Sequence, residues 1–387
     1  MNVRFKDAVT IYNGKDYKHI ESDTGFPVMG SGGQFAYASD YLYDGEVILL
    51  GRKGTIDRPL YYVGKCWSVD TMYYAVPKMG FCGKYLYYCS LNFPFLKFST
   101  ATALPSMTKS VLERFHIPDL TLCEQEAIAA YLDRECEKIG RQIELLERKA
   151  DAYKRLRRSI INRAVTRGLN PHAPLKPSGI PFLGEVPQHW VIRRIKSLFD
   201  ERVELSETGQ EDLLSVSEYY GVAKRADKVD GENISRSDSL EGYKLCYVDD
   251  IVSNIMLAWK GSLGRTSYNG IVSPAYGVYK PIDKLDSMYY HFLFRTEVYK
   301  GIFRTNSRGI IDSRLRLYTP NFLAIHTVYP PVEEQKEIVA YLDEKCGKID
   351  AIIENIDTQV ERLKELKRSL INEVVTGKRA ITPASHD

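Results

Sequence analysis

The chain carries one segment twice, and that repeat limits what it can fold into more than any other feature. Glu124 to Thr166 returns as Glu334 to Thr376, displaced by 210 residues and aligned without a gap, with 20 of 43 positions identical. Glu124-Gln125 returns as Glu334-Gln335, and Ala130-Tyr131-Leu132-Asp133 as Ala340-Tyr341-Leu342-Asp343. Cys136 returns as Cys346, and Arg158-Ser159 as Arg368-Ser369. A repeat of this length reads as one structural unit used twice.

Both copies have helical periodicity. Apolar or small residues fall at Ile128, Leu132, Cys136, Ile139, Ile143, Leu146, Ala150, Tyr153, Leu156, Ile160 and Ala164. The second copy has Ile338, Leu342, Cys346, Ile349, Ile353, Ile356, Val360, Leu363, Leu366, Leu370 and Val374. Steps of three and four place each set on one stripe of a long amphipathic helix. Thr121 with Glu124 predicts a capping box, Pro331 suits a first turn, and Gly168 and Gly377 suit C-terminal stops. At 1.5 Å per residue, each helix is roughly 65 Å long. A single stripe on so long a helix needs a partner. The other copy is the predicted one, in a two-helix coiled coil; the alternative is two core helices in separate domains. The scaffold positions expected to bury are Ile128, Leu132, Ile139, Ile143, Leu146 and Leu156, with Ile338, Leu342, Ile349, Ile353, Ile356 and Leu366.

Composition narrows the function classes. The 387 residues suggest two or three domains. A net charge of only +3 means that any nucleic-acid binding must come from local basic surfaces. The opening Met1-Asn2-Val3-Arg4-Phe5-Lys6-Asp7 is charged, which predicts no secretory signal, and no apolar run is long enough for a membrane span. The seven Cys form no Cys-x-x-Cys pair, and Cys136 and Cys346 lie on the apolar stripes. They read as small buried hydrophobes of a reducing, cytoplasmic setting.

The chain divides into a first globe (1–122), the first long helix (123–168), a Pro- and Gly-rich linker (169–190), a second globe (191–330), the second long helix (331–377) and a polar tail (378–387). The fold class is α+β: two globular α/β domains separated by a pair of long antiparallel helices with pseudo-two-fold symmetry. In the first globe, Glu46 to Leu50 predicts a buried strand, Met72 to Val76 another, and the region Gly83 to Phe98 a helix ending in the Phe93-Pro94-Phe95 turn. The second globe echoes it: Val248 to Ser253 matches Tyr43 to Ile48, and Lys260-Gly261-Ser262-Leu263-Gly264 matches Lys53-Gly54-Thr55-Ile56. The linker docks at its end through Trp190. His116 and His326, also 210 apart, point to a structural role just ahead of each helix. The second half of the first helix is basic. Its charges suit a helix C-terminus or form a surface facing phosphate or a partner; both readings stay open.

No catalytic constellation emerges. Gly30-Ser31-Gly32-Gly33 lacks the spacing and the following helix of a phosphate loop. Asn92-Phe93-Pro94-Phe95 and Ser273-Pro274-Ala275-Tyr276 lack the adjacent prolines of the loop with which amino-methylating enzymes hold their target amine. Asp343-Glu344-Lys345 reads as a solvated helix face, and no two His stand at metal-ligand spacing on one helix.

The sequence nevertheless resembles the specificity subunits of type I restriction-modification systems over nearly its whole length. The resemblance rests on Pro330-Pro331-Val332-Glu333-Glu334-Gln335, on its weaker counterpart leading to Glu124-Gln125, and on Gly179-Ile180-Pro181-Phe182-Leu183-Gly184-Glu185-Val186-Pro187-Gln188-His189-Trp190. Lys-Gly-Ser/Thr turns after a buried strand add to it. The first helix lacks the double proline, and the first globe lacks the Gly-Ile-Pro lead-in. The second departure fits the family's circular arrangement, in which the N-terminal domain starts abruptly and packs near the C-terminus.

That resemblance implies that each globe is a target-recognition domain reading one half of a bipartite, asymmetric site on double-stranded DNA. The helix pair would be a spacer ruler and a docking platform for two methyltransferase subunits, which bind S-adenosylmethionine and modify adenine. Motor-nuclease subunits would join for cleavage. This chain would itself be non-catalytic, with no cofactor, metal or membrane of its own. DNA contacts call for Lys and Arg at phosphates and for Arg, Asn, Gln, Ser and Thr at bases. The candidates are Gln34, Tyr37, Lys53, Thr55 and Arg58 in the first globe. In the second they are Ser217, Tyr219, Lys224, Lys260, Ser262, Arg265, Asn306, Arg308 and Arg314. Tyr37 and Tyr219 either stack on a flipped base or belong to the core. Two other function classes remain: a coiled-coil adaptor without DNA readout, and the recognition part of a standalone DNA methyltransferase or endonuclease.

Overall fold

The computed structural model describes residues 2–99, 105–227 and 239–381. The repeated segments form its two longest helices, Leu122–Arg167 and Val332–Val375. A capping box starts the first: Glu124 Oε2 accepts the Thr121 backbone N–H at 2.8 Å, and Thr121 Oγ1 faces the Glu124 N–H at 3.4 Å. Each helix is followed by a glycine in the left-handed region, Gly168 at φ 70° and Gly377 at φ 75°, a conformation that other residues reach only with strain. Among the described residues, no helix is long and apolar enough to cross a membrane. Residues 382–387 of the expected tail lie outside the described residues.

The chain forms two compact units, Met1–Arg148 with Ile356–Asp387, and Lys149–Asn355. Each therefore contains a piece of both long helices.

In the first unit a seven-stranded sheet runs in the order Val9–Asn13, Met72–Pro77, Tyr43–Gly51, Leu60–Ser68, Phe26–Gly30, Gly33–Ala38, Glu21–Ser22. Alternation along Tyr43–Gly51 sends Ile48 and Leu50 to one face and Val47 and Leu49 to the other. Both faces are covered. The Ile48 face packs with Tyr85 and Leu86 of the helix Gly83–Ser90, with Ile128, Leu132 and Ile139 of the first long helix, and with Leu370 and Val374 of the second. The start of one long helix thus lies against the end of the other, so the pair is antiparallel. The helix expected to end in the Phe93-Pro94-Phe95 turn runs Gly83–Ser90, and a short second helix, Phe95–Phe98, follows Pro94.

The second unit repeats this plan. Its four-stranded sheet, Phe199–Glu201, Gly277–Pro281, Ile251–Ser253, Leu263–Arg265, has the strand order of the first four strands of the seven-stranded sheet. Its core joins Phe199, Tyr279, Tyr290, Phe294 and Phe303 to Ala164 and Val165 of the first long helix and to Ile338 and Leu342 of the second. The helices again meet end to start. The linker is packed: Leu175–Pro177 pairs with Glu185–Pro187, and Trp190 is fully buried with Nε1 donating to Glu334 Oε2 at 3.0 Å.

The same joint precedes both long helices. Arg4 pairs with His116 and Arg194 with His326 in short antiparallel ladders. The Phe5 N–H donates to the Phe115 carbonyl at 2.7 Å, and the Ile195 N–H to the Ile325 carbonyl at 2.9 Å. The echo between the globes is therefore one module built twice.

The helical stripe needs one correction. Ile128, Leu132, Ile139, Ile338, Leu342, Ile349 and Ile356 are buried, and Ile143, Leu146 and Ile353 are half-buried. Leu156 and Leu366 instead face solvent, at 47% and 55% exposure. These are the same position in the two copies. The inward place is taken by the next residue, Arg157 or Lys367, each partly buried. Alternating steps of three and four from Ala150 through Tyr153 lead to 157, whereas choosing the most apolar residue leads to 156. Arg157 meets its burial with an ion pair to Asp350, at 3.0 Å.

Candidate nucleic-acid interface

The candidate residues of the second unit are organised by an arginine that sequence reading did not single out. Arg295 follows the helix Ser287–Phe294 and is largely enclosed. One guanidinium nitrogen donates to the carbonyls of Ser217, Gly261 and Leu263 at 3.2, 3.1 and 2.9 Å. The other donates to those of Glu218 and Tyr219 at 2.9 and 3.1 Å. Burial pushes its pKa down to about 10, which leaves it charged at neutral pH. A charged donor shared by five carbonyls locks the 217–219 turn to the 261–263 turn. Ser217, Tyr219 and Lys260 are thereby held together, with Tyr219 at 85% exposure.

Under these turns lies His291, whose Nδ1 accepts the Arg265 N–H at 3.2 Å. Burial, then the charges of Arg295, Arg265 and Arg157, push its pKa down to about 3. It is a neutral acceptor here. A cleft of about 620 Å³ opens beside it, lined by Arg157, Arg158, Tyr219, Arg295 and Lys300 among others.

Ser262 is corrected. It is 1% exposed, and its hydroxyl donates to the Val216 carbonyl at 2.9 Å. It braces the turn from inside and has no surface to offer a base. Lys224 and Arg265 carry partners, Asp212 and Asp249, each at 2.6 Å. The Asn306 amide donates to the Ile302 carbonyl at 2.8 Å and finishes its own helix. Arg308 and Arg314 are exposed in the 307–316 loop. That loop is joined to the Lys260 turn, because Leu317 N–H donates to the Ile255 carbonyl at 2.9 Å and Arg304 lies 4.9 Å from the Trp259 ring centre.

In the first unit the candidates fall on two segments. Gln34 and Tyr37 are exposed on the strand Gly33–Ala38, near a bulge opposite Val28 and Met29. Between them Phe35 is also exposed, its ring edge-on to Tyr17. Lys53, Thr55 and Arg58 are exposed in the loop after the strand Tyr43–Gly51. That loop is fastened by the Lys53 N–H to the Thr71 carbonyl at 3.2 Å and the Gly54 N–H to the Pro105 carbonyl at 2.8 Å. Phe35 escaped sequence reading because an aromatic in a strand ordinarily marks the core. Arg295 escaped because nothing local signals five distant carbonyls.

The described residues hold no cluster of three or more His, Cys, Asp or Glu side chains placed to ligate a metal.

Comparison with known proteins decides the family. The model of the type I restriction modification DNA specificity domain matches residues 1–149 and 187–362, most of the chain and both modules. The chain belongs to this family. It is 26% identical over 325 residues to the type I restriction enzyme MjaVIII specificity subunit of Methanocaldococcus jannaschii, covering 76% of this chain and 69% of that one. A protein solved in a structural study of complex assembly and conformational transition of the type I system shares the fold. Its TM-score is 0.68 at 14% identity, over 97% of both chains. The HsdS subunit from Thermoanaerobacter tengcongensis gives a TM-score of 0.48 at 15% identity, covering 98% of this chain and 97% of that one. The protein is thus a type I specificity subunit, with a DNA sequence-specificity role and no catalysis of its own. It binds DNA and assembles with other restriction-modification subunits.

Proposed function

We propose that the chain reads a bipartite, asymmetric DNA site, one module per half-site, and presents its two long helices to two methyltransferase subunits. The observation that carries this reading is the module built twice around similar helices but with different surface loops. Equivalent helix surfaces suit two copies of one partner, and diverged loops suit two different half-sites. Leu156 and Leu366 support the docking part. They are exposed leucines at one repeat position, and each unit has one.

In this reading DNA is approached by Lys260, Arg308, Arg314, Ser217 and Tyr219 in one unit, and by Gln34, Tyr37, Lys53, Thr55 and Arg58 in the other. The continuous helices set the unread spacer between the half-sites. S-adenosylmethionine is bound by the partner subunits, and motor-nuclease subunits join for cleavage. Methylation mapping of a host expressing the chain with its partner subunits tests the proposal. Two half-sites with a constant spacer are expected, and exchanging residues 191–330 for those of a relative should change one half-site only. A continuous site, or one unchanged by the exchange, overturns it.

A further inference from the structure

Residues 307–316 form a braced loop with an apolar tip. Arg308 and Arg316 close it, each N–H donating to the other's carbonyl at 2.9 Å. Gly309 at φ 144° passes so near Arg314 that a Cβ would meet its carbonyl oxygen at 2.5 Å. Arg314 N–H donates to the Ile311 carbonyl at 2.8 Å. Asp312 accepts both terminal nitrogens of Arg304, at 2.6 and 3.2 Å, which fastens the loop to the helix Glu297–Asn306.

At the tip Ile310 is fully exposed and Ile311 is 53% exposed. Burying aliphatic side chains of this size is favourable, so holding two in water on a braced loop implies something that covers them. The surroundings indicate what. Asp312 is neutralised by Arg304, while Arg308 and Arg314 form no ion pair among the described residues. An apolar point between unpaired cations complements a polyanion whose interior is apolar, which is duplex DNA with its stacked bases.

We propose that Ile310 and Ile311 are a wedge that enters between two base pairs of the half-site read by this unit, with Arg308 and Arg314 on the flanking phosphates. The proposal rests on the DNA-reading role given above. It adds selectivity without a base hydrogen bond, because pyrimidine–purine steps unstack more easily than others.

The test uses the assembled specificity–methyltransferase complex and duplexes carrying 2-aminopurine at successive positions of the mapped half-site. Binding should brighten one step apart from the methylated adenine. The I310S/I311S double variant should abolish that brightening, leave the signal at the methylated adenine, and weaken binding roughly tenfold. R308Q/R314Q should weaken binding and lower the salt dependence by about two released ions. Full-affinity binding with no brightening outside the methylated adenine overturns the wedge and leaves the bipartite reading standing. So does an I310S/I311S variant that loses the methyltransferase subunits or melts earlier, which would assign the tip to a protein contact or to stability. A complex that methylates no defined site overturns the functional reading itself.

Discussion

Gln335 is fully buried near the start of the second long helix, and its side-chain oxygen accepts the backbone N–H of Asp286 at 2.9 Å. Asp286 in turn caps the helix Ser287–Phe294, accepting the Met288 N–H at 2.8 Å. The Gln335 amide nitrogen donates to the Pro330 carbonyl at 2.8 Å. The other module repeats the arrangement: Gln125 accepts the Cys82 N–H at 2.9 Å, ahead of the helix Gly83–Ser90, and donates to the Leu120 carbonyl at 2.8 Å. One glutamine thus joins each long helix to the short helix of its globe, which gives the repeated Gln one structural role in both copies.

Gln335→Ala leaves a buried N–H and a buried carbonyl without partners. It should lower stability by about 1–3 kcal/mol, read as a shift in the urea midpoint. Gln125→Ala should do the same in the other unit. Gln335→Glu should not rescue, since a carboxylate accepts from Asp286 but repels the Pro330 carbonyl.

Leu132 and Leu156 lie on the same sequence stripe and should respond in opposite ways. Leu132→Ala empties a buried site and should cost about 2–5 kcal/mol of stability. Leu156→Ala and Leu366→Ala should change stability by less than about 0.5 kcal/mol and weaken capture of the methyltransferase subunits, measured by co-purification. Unimpaired capture by the double variant would remove these leucines from the docking surface.

Arg295→Gln retains some hydrogen bonding but loses the charge and fork that hold five carbonyls. The 217–219 and 261–263 turns should loosen. Hydrogen exchange of those segments should accelerate, and DNA discrimination at one half-site should fall by about tenfold, with the other half-site unaffected.

His291 predicts an acid-side loss of stability. Its folded pKa of about 3 lies below the ordinary value, so between the two the unfolded chain binds the extra proton. Its effect is absent above the ordinary histidine range. As pH falls, stability should drop by up to about 1.4 kcal/mol per pH unit until the folded pKa is approached. His291→Asn should flatten the urea midpoint against pH in that window.

Much was legible in sequence because helix periodicity, caps and repeats are local signals. The repeat, the Thr121–Glu124 cap and the glycine stops needed only spacing and residue type, and the inward phase at Leu132 and at its counterpart Leu342 followed from the stripe. What required the fold was the choice between adjacent residues and the union of distant ones. Periodicity favoured Leu156 because it is apolar, yet packing turned Arg157 inward, where Asp350 pairs with it. Ser262 had the chemistry of a base reader, yet Val216 on the strand Leu214–Ser217 claims its hydroxyl. Arg295 and the Ile310 tip carry no signature, because their roles come from carbonyls and charges brought together by the chain's path. Sequence alone determined that one module is built twice around a pair of helices. Only tertiary structure decided which side chains are spent inside each module and which remain for DNA or a partner, since burial is set by neighbours far away in the chain.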